Sequence, residues 1–159
     1  MAMNDRIAAE IKQIMVEGGK TLSTAESCTS GRIAAQLTCI SGASGYFQGG
    51  LVAYQDHIKV EQLGVNAEDI MRYDVVSRPV VEQMVAGACR LFRTDFALAS
   101  TGYAGDGANG IPSGTIWIAW GGPTDVHSRC LMLHGTREEN TQDAVDAVLL
   151  SFRAYLDSL

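Results

Sequence analysis

The chain has 159 residues, 47% of them hydrophobic and 19% charged, which suits one domain with a proper core and excludes a disordered chain. No apolar run approaches the ~20 residues that a membrane-spanning helix needs, so no membrane partner is expected. A net charge of −6 argues against a general nucleic-acid partner, which requires a basic face, but leaves room for a small anion held by a local Arg or Lys.

The first segment, MAMNDRIAAEIKQIM, carries acids among its apolar residues and lacks the apolar core of a secretory leader, so a cytoplasmic location is expected. Asn4 or Asp5 is expected to cap a helix whose Ile7, Ile11, Ile14 and Met15 recur at helical spacing, with Gly18-Gly19 ending it. GGKT at 18–21 is not a phosphate-binding loop, because Ile14 stands six residues before Lys20 and the segment precedes a strand. TLSTA then reads as a strand, and a helix is expected from about Gly31 to Ile40. FQGGLVAY reads as a strand whose glycine pair suggests a bulge. DHIKVEQLG gives a short helix ending at Gly64, NAEDIMRYD another capped by Asn66, and Ser77 caps a long helix with Pro79 in its first turn.

DFALAS is an apolar strand running into TGYAGDGANGIPSG, a glycine-dense loop whose backbone could approach a ligand closely. TIWIAWG and VHSRCLMLHG form an antiparallel hairpin about GPTD, and the chain from Thr136 to Leu156 closes as an amphipathic helix. Helices and strands that interleave and finish with a hairpin predict an α/β fold, a mixed sheet with helices on both faces, in a single domain over 1–159. Ligands gather at the carboxyl ends of strands in such sheets, here Ser27, the segment Tyr54–Lys59, and Thr101.

Cys28, Cys39, Cys89 and Cys130 show no C-x-x-C pair and read as reduced thiols, with Cys39 and Cys89 expected in the core. His57, His127 and His134 form no ligand cluster, so no metal is expected.

The stretch AESCTSGR, residues 25–32, places four side chains bearing oxygen or sulfur where a strand becomes a helix. Two readings stay open: Ser and Thr cap helix starts, or Ser27 is a nucleophile with oxyanion donors in the turn that follows. Serine needs a base, no histidine stands out, and Lys59 could serve if burial leaves its amine neutral. Cys28 is the weaker nucleophile and reads as a small packed group. Tyr54 is either a half-buried aromatic or a hydroxyl reaching across the site, and Thr101 with Gly102 either line a ligand or begin the loop. Arg137 opens the last helix, where a cation opposes the dipole and an anion would repair it, as would Glu138 or Glu139.

TAESCTSG, GGLVAYQDHIKVEQLGV, STGYAGDGANGIPSGTIWIAW and HGTRE, in this order and spacing, resemble the CinA carboxy-terminal (competence/damage-inducible) family over about residues 7–156. The resemblance implies a three-layer α/β/α domain that deamidates nicotinamide mononucleotide to nicotinate mononucleotide and ammonia, a pyridine-nucleotide salvage step with no cofactor. It makes Ser27 the nucleophile, Lys59 its base, Tyr54 their assistant, Thr101 and Gly102 site-lining positions, and Arg137 a residue near the phosphate. It also implies that the turn at Thr29, Ser30 and Gly31 supplies donors to an oxyanion or phosphate, and analogy leads one to expect a homo-oligomer.

The chain departs from the family pattern at the inferred site. Ser30 replaces a glycine, Asp56 an asparagine, Tyr103 an isoleucine, Asp106 a proline, Thr136 an aspartate and Thr141 an arginine. Asp56 would favour a protonated lysine, and losing a cation at 141 would weaken a phosphate site. Beside the amidase stand two alternatives: a catalytically silent paralogue that binds a nucleotide or other small anion, and a Ser–Lys hydrolase for another small amide.

Overall fold

The computed structural model describes residues 1–159. Strands β1 (Leu22–Glu26), β2 (Phe47–Val52), β3 (Phe96–Tyr103), β4 (Thr115–Gly122) and β5 (Asp125–Met132) form one sheet in the order β2-β1-β3-β4-β5. β1 runs parallel to β2 and β3, while β4 and β5 complete an antiparallel hairpin on the far edge. The sheet is mixed, as the element order predicts. β1 is buried at every position, consistent with helices on both its faces, while edge strand β2 alternates. Its glycine pair does accompany an irregularity: Leu22 faces Phe47 but Ser23 faces Gly49.

Helices α1 (Met3–Gly18), α2 (Arg32–Thr38) and α6 (Arg137–Asp157) share one apolar core against the sheet, built from Ile11, Ile33, Leu37, Ile118 and Phe152 among others. Helices α3 (Asp56–Leu63), α4 (Ala67–Tyr73) and α5 (Arg78–Phe92) cover the other face, where Leu63, Val80, Val81, Met84 and Val85 make a second core. Three layers result. Each is held by burial of aliphatic faces at roughly 25 cal/mol per Å².

Two details differ from the sequence expectation. The first helix begins at Met3, and Asn4 lies inside it with its amide donating to Asp146 of α6. Cys39 is exposed at the end of α2 and donates to the Gln36 carbonyl, whereas Cys89 is buried as expected. Two residues after Leu37, Cys39 falls on the side of the helix opposite the core that Ile33 and Leu37 enter.

From β1 the chain passes to β2 on one side, then crosses back to β3 on the other, so the connections diverge at the carboxyl ends of β1 and β3. This divergence opens a crevice there. Helix α3 is brought close beneath it because Gly87 of α5 has no side chain: a Cβ there would strike the Leu63 main chain.

Candidate active site

The crevice holds a cavity of about 350 Å³ lined by residues from five segments: the turn after β1, the chain from Tyr54 into α3, Val75 and Val76 before α5, the end of β3 with the glycine loop that follows, and Arg137 of α6. Ser27 follows directly on β1 and is held by its own backbone, whose N–H donates to the Ser100 carbonyl at 3.1 Å. Lys59 lies one turn into α3 and is 1% exposed. Its Nζ donates to Ser27 Oγ at 3.0 Å and to the Tyr54 carbonyl at 3.2 Å. The strand-end hydroxyl and the helix amine, 32 residues apart in sequence, thus meet. Burial lowers the Lys59 pKa from its ordinary value, against opposing pulls from Asp56 and Cys28. The lysine is therefore poised toward the neutral form that a base requires.

Cys28 has the reverse character. Burial pushes its thiol up to about 12, so it stays protonated beside the serine.

The turn from Ser27 to Gly31 is organised by a residue that the motif contains but sequence reasoning did not single out. Glu26 is 1% exposed, and its carboxylate accepts the Thr29 hydroxyl at 2.6 Å and the N–H groups of Gly31, Ile33 and Ala34 at 3.2, 2.9 and 3.0 Å. It thereby caps α2 from the strand before it, a role Ser and Thr were expected to fill. Ser100 was also missed: buried on β3 opposite Glu26, its Oγ lies 2.7 Å from the Thr29 hydroxyl and accepts from Ser27 N–H at 3.3 Å. Glu26 carried a cue, since a charged residue that ends a strand has to find partners where the strand stops.

These bonds decide which amides are open. Gly31 N–H is taken by Glu26 and Ser30 N–H by the Ser27 carbonyl, so neither is free for an oxyanion. Thr29 has its hydroxyl committed to Glu26 and Ser100, which leaves its main chain as its only route to a ligand. The N–H groups of Cys28 and Thr29 donate to no main-chain carbonyl. Ser30, with φ of 52°, adopts the left-handed region that suits the glycine it replaces.

Tyr54 contributes its carbonyl to Lys59, while its ring lines the cavity, 57% exposed. Thr101 and Gly102 lie on the cavity wall, and the Thr101 hydroxyl donates to the Val75 carbonyl at 3.1 Å, tying β3 to the segment before α5. Tyr103 and Asn109 both donate to Asp74, each at 2.8 Å. Asp74 itself sits at φ 77°, a conformation these bonds and its own contact with Val76 N–H hold in place. Arg137 makes no ion pair within the chain; its guanidinium lies over Gly105, where a Cβ would come within 2.6 Å of Cζ. Asn140, one turn on and 1% exposed, donates to the Ala104 carbonyl at 2.9 Å and so fixes the glycine loop against α6.

The family pattern of the CinA C-terminal domain matches residues 4–156. The chain belongs to the CinA C-terminal domain family. A CinA-like protein of Shewanella piezotolerans is 42% identical over 129 residues, covering 80% of this chain and 30% of its own length. Another, from Cytophaga hutchinsonii, is 37% identical over 154 residues, covering 96% of this chain and 37% of its own. The chain spans about a third of the length of the curated relatives it matches. Among solved structures, the competence damage-inducible protein A of Klebsiella pneumoniae superposes with a TM-score of 0.93 at 31% identity, covering 97% of both chains. A competence/damage inducible protein of Agrobacterium tumefaciens gives a TM-score of 0.91 at 32% identity, covering 99% of both. The three-layer fold is therefore that of the CinA structures. No helix of this CinA-family chain is long and apolar enough to cross a membrane.

Proposed function

We propose that this chain is an amidohydrolase of the nicotinamide-nucleotide type, converting nicotinamide mononucleotide and water to nicotinate mononucleotide and ammonia. The observation that carries the reading is the 3.0 Å hydrogen bond between Lys59 Nζ and Ser27 Oγ in a buried setting that lowers the lysine pKa.

Ser27 Oγ attacks the carboxamide carbon as neutral Lys59 takes its proton. The tetrahedral oxyanion is held by the N–H groups of Cys28 and Thr29, the two amides of the turn that donate to no carbonyl, in place of the Ser30 and Gly31 amides. The C–N bond breaks as Lys59 returns the proton to the departing nitrogen, giving ammonia and an acyl-serine. Water, deprotonated by the same amine, adds to the ester carbon, and collapse releases the carboxylate and restores Ser27. The Tyr54 carbonyl keeps the amine aimed throughout. Tyr54, Thr101 and Gly102 shape the cavity wall, and Arg137 supplies a cation for the phosphate.

The test is ammonia release from nicotinamide mononucleotide by purified protein, with Ser27→Ala as reference. Turnover of the unaltered chain above that variant by about a hundredfold or more supports the reading, and equal rates reject it. One observation favours the silent-paralogue reading: Asp56 raises the proton affinity of the proposed base. Calorimetric binding of the mononucleotide without ammonia release would select it. Release from other small carboxamides alone would select the broader Ser–Lys hydrolase.

A further inference from the structure

The catalytic cavity has a neighbour of about 640 Å³ that reaches neither Ser27 nor Arg137. The two share Asp56, Val75 and Tyr103. Ile70, Met71, Tyr73 and Ile111 give the outer cavity apolar and aromatic walls, and helix α4, which carries the first three, buries none of its residues. The inner cavity, at about 350 Å³, lies near the lower end of the roughly 300–1,000 Å³ that ligand pockets occupy. What separates the two therefore sets how large a ligand the reacting end can take.

Of the shared residues, Asp56 is exposed and Val75 is held by its carbonyl, which accepts the Thr101 hydroxyl. Tyr103 puts a ring between the cavities. Its main chain is fixed, because it ends β3 and its carbonyl accepts Gly114 N–H at 2.6 Å. Its side chain is fixed as well: burial and Asp74 push the phenol up to about 12, so the hydroxyl stays protonated and donates to Asp74 Oδ2. Asp74 in turn accepts Asn109 Nδ2 and Val76 N–H, and with φ 77° and ψ 158° it occupies a region that glycine alone enters freely. A strained residue tied by three donors persists where its surroundings over-determine it, so the tyrosine is a standing partition and not a passing rotamer.

We propose that Tyr103 is a specificity-determining residue: its ring closes the inner cavity against the outer one and restricts the carboxamide to a single aromatic ring, with the outer cavity the place that a second, fused ring would enter. The apolar and aromatic walls there suit a flat ring. With Tyr103 in place such a ring has to displace the side chain, breaking its bond to Asp74, or stay out. That the reacting group is a carboxamide rests on the amidase reading; the partition rests on the two cavities.

Nicotinamide and quinoline-3-carboxamide, which adds a fused ring, are titrated calorimetrically into the Ser27→Ala chain, where nothing is turned over. With Tyr103 present the chain favours the single ring by at least about tenfold, the scale on which a pocket rejects a misfitting apolar group. Tyr103→Ala and Tyr103→Ile remove that preference; isoleucine is what the family pattern carries at this position, so the fold accepts it. Tyr103→Phe, which keeps the ring, keeps the preference. In the amidase assay the ratio of kcat/KM for the two amides moves the same way. A preference that Tyr103→Ala abolishes in a chain that releases no ammonia would uphold the partition while the amidase reading falls. Equal affinity for both amides in the presence of Tyr103, an unchanged preference in folded Tyr103→Ala and Tyr103→Ile proteins, or no binding of either amide, would overturn the partition.

Discussion

Asp56 and Lys59 stand three residues apart at the start of α3, and the exposed carboxylate works against the burial that lowers the lysine pKa. Burial wins, because the amine is almost wholly enclosed and Asp56 faces water, where its charge is screened. A base must be neutral, so kcat/KM should rise with pH through the Lys59 pKa, below the ordinary lysine value of 10.5. Removing the carboxylate removes a pull that keeps the proton on. Asp56→Asn should therefore move the ascending limb of the pH–rate profile to lower pH, and raising salt should move the unaltered enzyme the same way. A shift to higher pH would contradict the assignment of Lys59 as base.

The same lysine should cost stability. Its folded pKa lies below its unfolded one, so between the two the unfolded chain binds more protons and stability increases with pH. The stabilising limit lies above the unfolded lysine pKa, and it is lost as pH falls through the folded value. Lys59→Met keeps the apolar stem, deletes the buried amine, and should raise stability at pH 7 by on the order of 1 kcal/mol while abolishing ammonia release. Denaturant titrations at pH 7 and pH 10 check this, since the variant's advantage should shrink at the higher pH.

Glu26 makes the opposite prediction. Truncation to alanine strands the amide donors of Gly31, Ile33 and Ala34 and leaves the Thr29 hydroxyl with Ser100 alone. An unpaired buried donor costs about 1–3 kcal/mol, and water entering the gap would recover part of the sum, so Glu26→Ala should destabilise by roughly 3 kcal/mol. Thermal unfolding measures it. A loss below about 0.5 kcal/mol, typical of surface substitutions, would show that the carboxylate is not what holds the turn.

How much of this was legible beforehand follows from the range of each interaction. Helices α3 and α5 could be read because Asn66, Ser77, Pro79 and Gly64 mark their ends locally and Val80, Val81, Met84 and Val85 repeat at helical spacing. The juxtaposition of Ser27 and Lys59 could be inferred from strand ends and a family pattern, since both belong to short recognisable segments. Ser100 could not be assigned a role, because its partners Ser27 and Thr29 lie across a β1–β3 register that only the fold sets, whereas Glu26 finds its partners within eight residues and was passed over because Ser and Thr are the usual caps. Cys39 was misplaced because it stands two residues after Leu37, on the face of α2 opposite the one that Ile33 and Leu37 bury.

Gly105 offers a test of Arg137 that leaves the arginine itself intact. Its φ is not left-handed, so alanine is tolerated by the backbone. The new Cβ would nevertheless fall within 2.6 Å of Arg137 Cζ and 2.7 Å of Nε, and the flexible end of the arginine is what must yield. Gly105→Ala should thus push the guanidinium off the loop while changing stability by less than about 0.5 kcal/mol. If Arg137 holds the phosphate, affinity for ribose 5-phosphate should fall several-fold, and the preference for nicotinamide mononucleotide over its riboside should fall with it. Unchanged preference in a variant of unchanged melting temperature would show that the arginine over Gly105 does not contact the anion.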